Sequence, residues 1–476
     1  MCWGIPVFWY PFLFLKILRR NYKNQMNKED RLFTNKMIIN FIIPMAIEKV
    51  LLRSISIVDN IMVSHLGEDI LSGVELASRF NIFIYDIFIG LVLGGMILVS
   101  QLLGRKDINS ARRVTYTLTT FLTLISLLFS VIIFFGSENI VSLLYGQINE
   151  QTHNSAVTYL KVLATACPMQ VVYFCGIYLS RAMKDSKTPT IISVARNIIN
   201  ILCNYVFIYK FNMGVLGAAF GTIAAYYTSA IIISILLCNR NREIYYELDI
   251  KKYRIHFNSL KEILSLGIST AMDRGFFQLG KLAVASILSS FGSVQVAAYV
   301  VVSGIDSIIE ILPDSVSMAS TTIIGQCTGI KDTKQIKYYA RKLMIMGILS
   351  TIVVLPIMLL LLPLFHASYH VSNEVWHLAM ILAAIAYIST VLFYIPSFTL
   401  AYILRATGDA KYVMMISTFS MWVFRFGISL IVAKCFGLGV IGIRLAMTTD
   451  YIFRSIMFTV RYRSGKWQQS KSFTKV

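Results

Sequence analysis

The sequence predicts an all-α polytopic membrane protein, with twelve transmembrane helices in two pseudo-symmetric six-helix lobes around a central cavity. Three observations predict it. Of 476 residues only 14% are charged and 56% are hydrophobic, where an ordinary soluble domain carries roughly 25% charged residues. The apolar residues fall in long runs, and a run of about 18 or more can cross a bilayer as a helix. The second half of the chain also repeats the first. Alternating patterns of the outer-membrane barrel kind are absent.

The runs lie near 37–64, 76–103, 115–135, 157–180, 189–209 and 214–238, and then near 260–290, 296–324, 343–365, 375–403, 413–433 and 439–460. Pro44, Pro168, Pro313 and Pro396 fall inside them. Each removes a backbone donor, so kinks or breaks are expected there.

The loops fix an expected orientation. One alternating set is basic: Lys28, Arg31 and Lys36; Arg105, Lys106, Arg112 and Arg113; Arg181, Lys184 and Lys187; then the linker, Lys331 to Lys342, Arg405 with Lys411, and the tail. The other set holds only Lys161, Lys210 and Lys434. Basic loops face the cytoplasm, so both termini are expected there, in a multi-pass protein of the plasma (inner) membrane. The formal charge of +20 is spread over these loops rather than gathered in one stripe, which argues against nucleic acid as a partner.

The cysteines make no CxxC and lie mostly within apolar runs, where they read as small buried hydrophobes rather than as disulfides or metal ligands. Residues 1–26 lack the charged start of a secretory signal. We read them as an extension outside the core, with Met26 as the natural start; an interfacial anchor is the alternative.

The repeat is explicit. VSQLLGRKD at 99–107 matches IGQCTGIKD at 324–332, YLSRAMKDSK at 178–187 matches YILRATGDAK at 402–411, and Gly214 and Gly217 match Gly439 and Gly442. The shift is 225 positions, or 224 in the second case. A shift of six spans preserves orientation, so the halves are parallel repeats about an axis along the membrane normal. Residues 27–238 form one expected lobe and 259–463 the other, with a cytoplasmic linker at 239–258 and a tail at 464–476.

Ionisable residues inside a membrane are candidate functional residues. Asp59, within ISIVDNIMVSHLG, has no basic residue three or four positions away. A carboxylate so placed suits a coupling ion, or else an inter-helix salt bridge, for instance to Arg196. Asn200 and Asn204 are spaced i,i+4 on the fifth span, where their amides can coordinate an ion, hydrogen-bond a carboxylic acid, or join helices. Glu48 and its repeat equivalent Asp273, with Asp306 and Lys281, form a second candidate set for substrate or a secondary ion. Glu75–Arg79 and Asp450–Arg454 read as neutralised i,i+4 pairs. His366 and His370, on an expected outer loop, make a weak metal signal, and no metal site is expected. No phosphate-cradling loop, zinc-enzyme motif or nucleophile elbow is present, so neither an enzyme nor an organic cofactor is expected.

These residues resemble the multidrug and toxic compound extrusion (MATE) family of secondary transporters. The resemblance runs over roughly 31–466. It is carried by Pro44 with IVDNIMVSHLGE, the paired GRKD and GIKD loops, LSRAMKDSK with LRATGDAK, NIINILCNYVFIY, QLGKL at 278–282 and RYRSGKW at 461–467. It implies twelve helices in two lobes around a V-shaped cavity. It also implies export of mostly cationic, amphipathic organic compounds, driven by entry of H+ or Na+. The coupling carboxylate falls on Asp59, and the second acid found on the fifth helix of related members is replaced here by Asn204. On helix seven Asp273 is displaced from the pattern of members that couple through the second lobe, and 375–403 has no acid, which favours the first lobe. A monomer is expected. Two rival readings remain: a flippase of a lipid-linked saccharide or peptidoglycan precursor, for which Arg53, Arg274, Lys281 and Arg425 would serve, and a non-transporting membrane scaffold.

Overall fold

A computed structural model describes residues 31–146, 148–247, 249–369 and 371–470, which excludes the 1–26 extension and the end of the tail. The described residues form twelve helical rods: α1 (Asn35–Ser64), α2 (Glu68–Gly104), α3 (Ile108–Tyr145), α4 (Glu150–Ala164 and Cys167–Ala182), α5 (Lys187–Lys210), α6 (Gly214–Leu237), α7 (Phe257–Ser289), α8 (Ser293–Ile309 and Ile311–Gly329), α9 (Thr333–Tyr369), α10 (Asn373–Ala406), α11 (Ala410–Cys435) and α12 (Gly439–Arg463). Up to nine pass a test of length and apolarity when each bent pair counts as one span. The others, α1, α7 and α12, are the rods that carry the densest charges, among them Glu48, Asp59, Asp273, Arg274, Arg444 and Asp450. The helices run past the apolar runs into their polar flanks. His366, assigned from sequence to a loop, therefore lies within α9, its ring against Trp376 at 4.7 Å; His370 is outside the described residues.

Three of the four prolines mark an irregularity, and Pro44 lies in an unbroken helix. Pro168 opens the second half of α4, which turns by 56°, and Pro313 follows the 49° bend in α8. Pro396 sits in a π-helical stretch, Thr390–Thr399. Pro44 cannot donate to the Asn40 carbonyl, and the neighbouring helix compensates: Ser186 Oγ donates to that carbonyl at 3.5 Å, and Thr190 Oγ1 to the Pro44 carbonyl at 2.9 Å. Membrane helices tolerate proline where neighbours satisfy the backbone in this way.

The backbone repeats as the sequence does. Positive φ angles recur 225 positions apart at Gly67 and Gly292, Lys106 and Lys331, Asn212 and Gly437, and Gly214 and Gly439, and 224 apart at Lys184 and Gly408. The π-helical turn Tyr205–Lys210 recurs as Leu430–Cys435. The duplication therefore sets loop geometry as well as residue identity.

Contacts divide the chain into two compact units, Asn40–Gly275 and the remainder, so the divisions fall inside α1 and α7. In the first unit, α7 seats against α2 with almost no space between backbones. A Cβ on Gly90 would overlap the Ala271 backbone, and one on Gly94 the Gly267 backbone. The 242–253 segment is docked on the same unit: Arg112 Nε donates to the Glu243 carbonyl at 3.1 Å, Tyr116 Oη to that of Tyr245 at 3.0 Å, and Arg242 pairs with Asp185 at 3.1 Å. In this segment Glu247 hydrogen-bonds Lys252 and holds its ammonium above the usual lysine pKa.

The second unit has a core of Val284, Ile305, Leu382 and Ile443 among others. Within it, Phe33 is clamped by Tyr339: the Phe33 amide donates to the phenol at 2.7 Å, and the phenol donates to the Phe33 carbonyl at 2.9 Å. The chain folds back after α12 because Trp467, fully buried, stacks on Tyr462 and donates its indole N–H to the Tyr462 carbonyl at 2.9 Å. Truncating this ring to alanine is expected to cost about 3–5 kcal/mol, spent locally as undocking of 464–470. Limited proteolysis should then cut at Arg463 and Lys466 in Trp467→Ala while sparing the parent protein.

Candidate functional site

The site follows from how α1 and α5 run together. Five side-chain contacts join them in nearly constant register: Asn40–Ser186, Pro44–Thr190, Glu48–Ser193, Asp59–Asn204 and Met62–Tyr209, at separations of 145 to 147. The two helices are parallel neighbours. At 1.5 Å per residue, Glu48 and Asp59 lie about 16 Å apart along one seam.

At one level of this seam, Asp59 meets two amides. Asn204 Nδ2 donates to Asp59 Oδ1 at 3.0 Å. The Asn200 amide lies 2.7 and 3.0 Å from the two carboxylate oxygens, and it forms hydrogen bonds only when its nitrogen faces them. Both asparagines are buried, at 6% and 2% exposure. Among the described residues no lysine or arginine forms an ion pair with Asp59. Arg196, the alternative partner considered from sequence, instead lies over the rings of Tyr173 and Tyr226, 5.2 and 5.1 Å from their centroids, and bonds Asn197 at 3.3 Å.

Two amides give this carboxylate a particular chemistry. An ionised carboxylate only accepts, so the amide nitrogens must turn to it. A proton or a Na+ on the carboxylate reverses that demand, because O–H and metal ions call for amide oxygens. Asn200 can satisfy either state by rotating its terminal torsion. Asn204 Oδ1 has no hydrogen-bond partner, so this amide carries an oxygen not committed elsewhere. Gly221 on α6 makes its position possible, since a Cβ there would overlap that oxygen. Gly221→Ala is expected to push Asn204 away from Asp59. Ion dependence of any activity should weaken at normal folded yield, as checked by comparing ion titrations of the two proteins.

Four of the other membrane acids face an arginine, whereas Glu310, at the bend of α8, makes no ion pair among the described residues. Glu48 accepts from Arg181 Nη2 at 2.7 Å and from Ser193 Oγ at 3.0 Å, with the pair 6–7% exposed, and Tyr173 donates to Ser193 at 2.9 Å. Asp86 pairs with Arg274 at 2.5 Å and Asp306 with Arg444 at 2.7 Å. Asp450 pairs with Arg454 at 2.7 Å, accepts from Ser420 at 2.5 Å and lies 3.7 Å from Arg425. Glu75 and Arg79 stand 3.9 Å apart at the surface. The second candidate set is not gathered in one unit. Glu48 and buried Asp273 belong to the Asn40–Gly275 unit, whereas Asp306 and exposed Lys281, over the Phe277 ring at 5.0 Å, belong to the other. Sequence reasoning missed Arg181 as the partner of Glu48, and it missed Gly221. The first was visible only as a repeat residue, and no pattern marked the second.

An all-helical, internally duplicated chain with most of its intramembrane acids paired and one carboxylate held by amides defines a multi-pass membrane transporter of the two-repeat kind. Comparison with known proteins gives the family. The MatE family model matches residues 44–206 and again 270–431, one match per repeat, and the chain belongs to this family. A curated relative from Thermotoga maritima, "Probable multidrug resistance protein NorM", is 26% identical over 95% of this chain and 97% of its own length. A solved outward-facing multidrug resistance MATE family transporter of the MOP superfamily superposes with a TM-score of 0.83, at 18% identity, over 91% of this chain and 96% of its own. A MOP superfamily transporter from Pyrococcus furiosus, described as having a binding pocket of reverse polarity, superposes with a TM-score of 0.82, also at 18% identity, over the same shares of both chains. These likenesses establish the expected fold, twelve helices in two lobes.

Proposed function

We propose that the protein is a secondary active antiporter of the plasma membrane, both termini cytoplasmic, that exports organic cations in exchange for H+ or Na+ by alternating access. The coupling ion binds at Asp59 with Asn200 and Asn204. One observation carries this reading. Glu48, Asp86, Asp306 and Asp450 each face an arginine, while Asp59 faces two neutral amides that can serve either its charged or its ion-bound form. The multidrug resistance description of the Thermotoga maritima relative supports the substrate class. Antiport requires the ion and the substrate to favour opposite conformations, because a ligand shifts an equilibrium only through differential affinity.

The test is efflux of a cationic dye from proteoliposomes under an imposed pH or Na+ gradient. Dye movement driven by one of the two gradients supports the antiporter and names its ion. Movement of a lipid-linked pyrophosphate saccharide without either gradient, with no dye transport, would replace it with the flippase.

A further inference from the structure

Buried polar atoms without protein partners cluster along the seam between Asp59 and Glu48. In the Asn40–Gly275 unit these are Asn197 Nδ2 and both side-chain atoms of fully buried Gln170, with Tyr85 Oη, which meets no strict hydrogen-bond geometry although Asn81 and Gln170 stand beside it. They are contiguous through aromatic and hydrogen-bonded contacts. Gln170 lies one helical turn before Tyr173 and Phe174 on α4, and the Tyr85 ring packs on Phe174 at 6.0 Å and on Tyr226 at 6.2 Å. Tyr226 and Tyr173 flank Arg196. Tyr173 continues through Ser193 to Glu48, and one turn beyond Arg196 and Asn197 on α5 stands Asn200, beside Asp59.

Buried amides and phenols need hydrogen-bond partners, and where the protein supplies none, bound water does. We propose that this seam is an internal hydrated path, lined by Gln170, Tyr85, Asn197 and Ser193, along which the small cation bound at Asp59 exchanges with the Glu48–Arg181 end of the unit. The path takes water and H+ or a Na+ ion, not an organic substrate, because its walls are aromatic rings in mutual contact and leave no room for a bulky molecule. The proposal rests on the antiporter reading for the identity of what travels. The hydration itself does not depend on it.

Radiolytic hydroxyl labelling of the purified full chain reads bound water directly, because hydroxyl radicals form where water is held. Tyr85 and Tyr173, 9% and 3% exposed, should be modified several-fold faster than Tyr339, which is fully buried and hydrogen-bonded to Phe33 on both sides. Labelling of all three at the same low rate would overturn the path. In proteoliposomes, Gln170→Leu and Asn197→Leu should slow gradient-driven flux several-fold at unchanged substrate affinity; unchanged flux also overturns it. Undiminished coupling in Asp59→Asn would defeat the antiporter reading instead, and the labelling result would still decide whether the seam is wet.

Discussion

Asp59→Asn should abolish ion-gradient-driven export while leaving a folded, substrate-binding protein. The substitution keeps size and hydrogen bonding but removes the charge that attracts a cation. It leaves a third amide among Asn200 and Asn204, and the three can satisfy one another, so folding is spared. With no charge to neutralise, the ion has no preference between conformations and the gradient has nothing to act on. Asp59→Glu keeps the charge but advances it by one methylene into a site closed by Gly221 and two buried amides, so it should restore coupling only in part. Dye efflux from proteoliposomes, with binding measured on the same preparations, separates the two effects: binding retained and gradient response lost is the expected pattern for Asn.

Glu48→Ala should destabilise the protein by about 3–5 kcal/mol, because it strands the buried Arg181 guanidinium without its counter-charge. The size follows from burial: both partners are almost fully enclosed, where the same change at the exposed Glu75–Arg79 pair would cost about 1 kcal/mol or less. Thermal unfolding in detergent should show a large fall for Glu48→Ala. The double variant Glu48→Met with Arg181→Met should recover much of it, since two apolar side chains of similar volume need no compensation. Equal losses in the single and double variants would mean that packing, not charge, is what the pair supplies.

Long apolar runs and a shift of 225 positions predict twelve rods in two repeats, and physical reasons explain where sequence stops short. Hydropathy places helix ends too tightly because it measures lipid contact, while backbone hydrogen bonding continues into the polar flanks, as in α3 and α9. The π-helical turns at 205–210 and 430–435 left no mark in composition. At the site, Asn200 and Asn204 were legible from i,i+4 spacing and Asp59 from its lack of a local basic neighbour, since both patterns are properties of one helix. The Glu48–Arg181 pair spans 133 positions and depends on how helices pack. Charge alone suggests Arg196 as a partner for Asp59, and tyrosine faces on α4 and α6 hold it instead.

The most direct test of the account is ion release on substrate binding. A cationic substrate is added to detergent-solubilised protein in weakly buffered solution, and released H+ or Na+ is counted per bound substrate. Release is expected from the wild type and none from Asp59→Asn at saturating substrate. Release of the same amount from Asp59→Asn, or substrate binding to the wild type with no ion released, would contradict it.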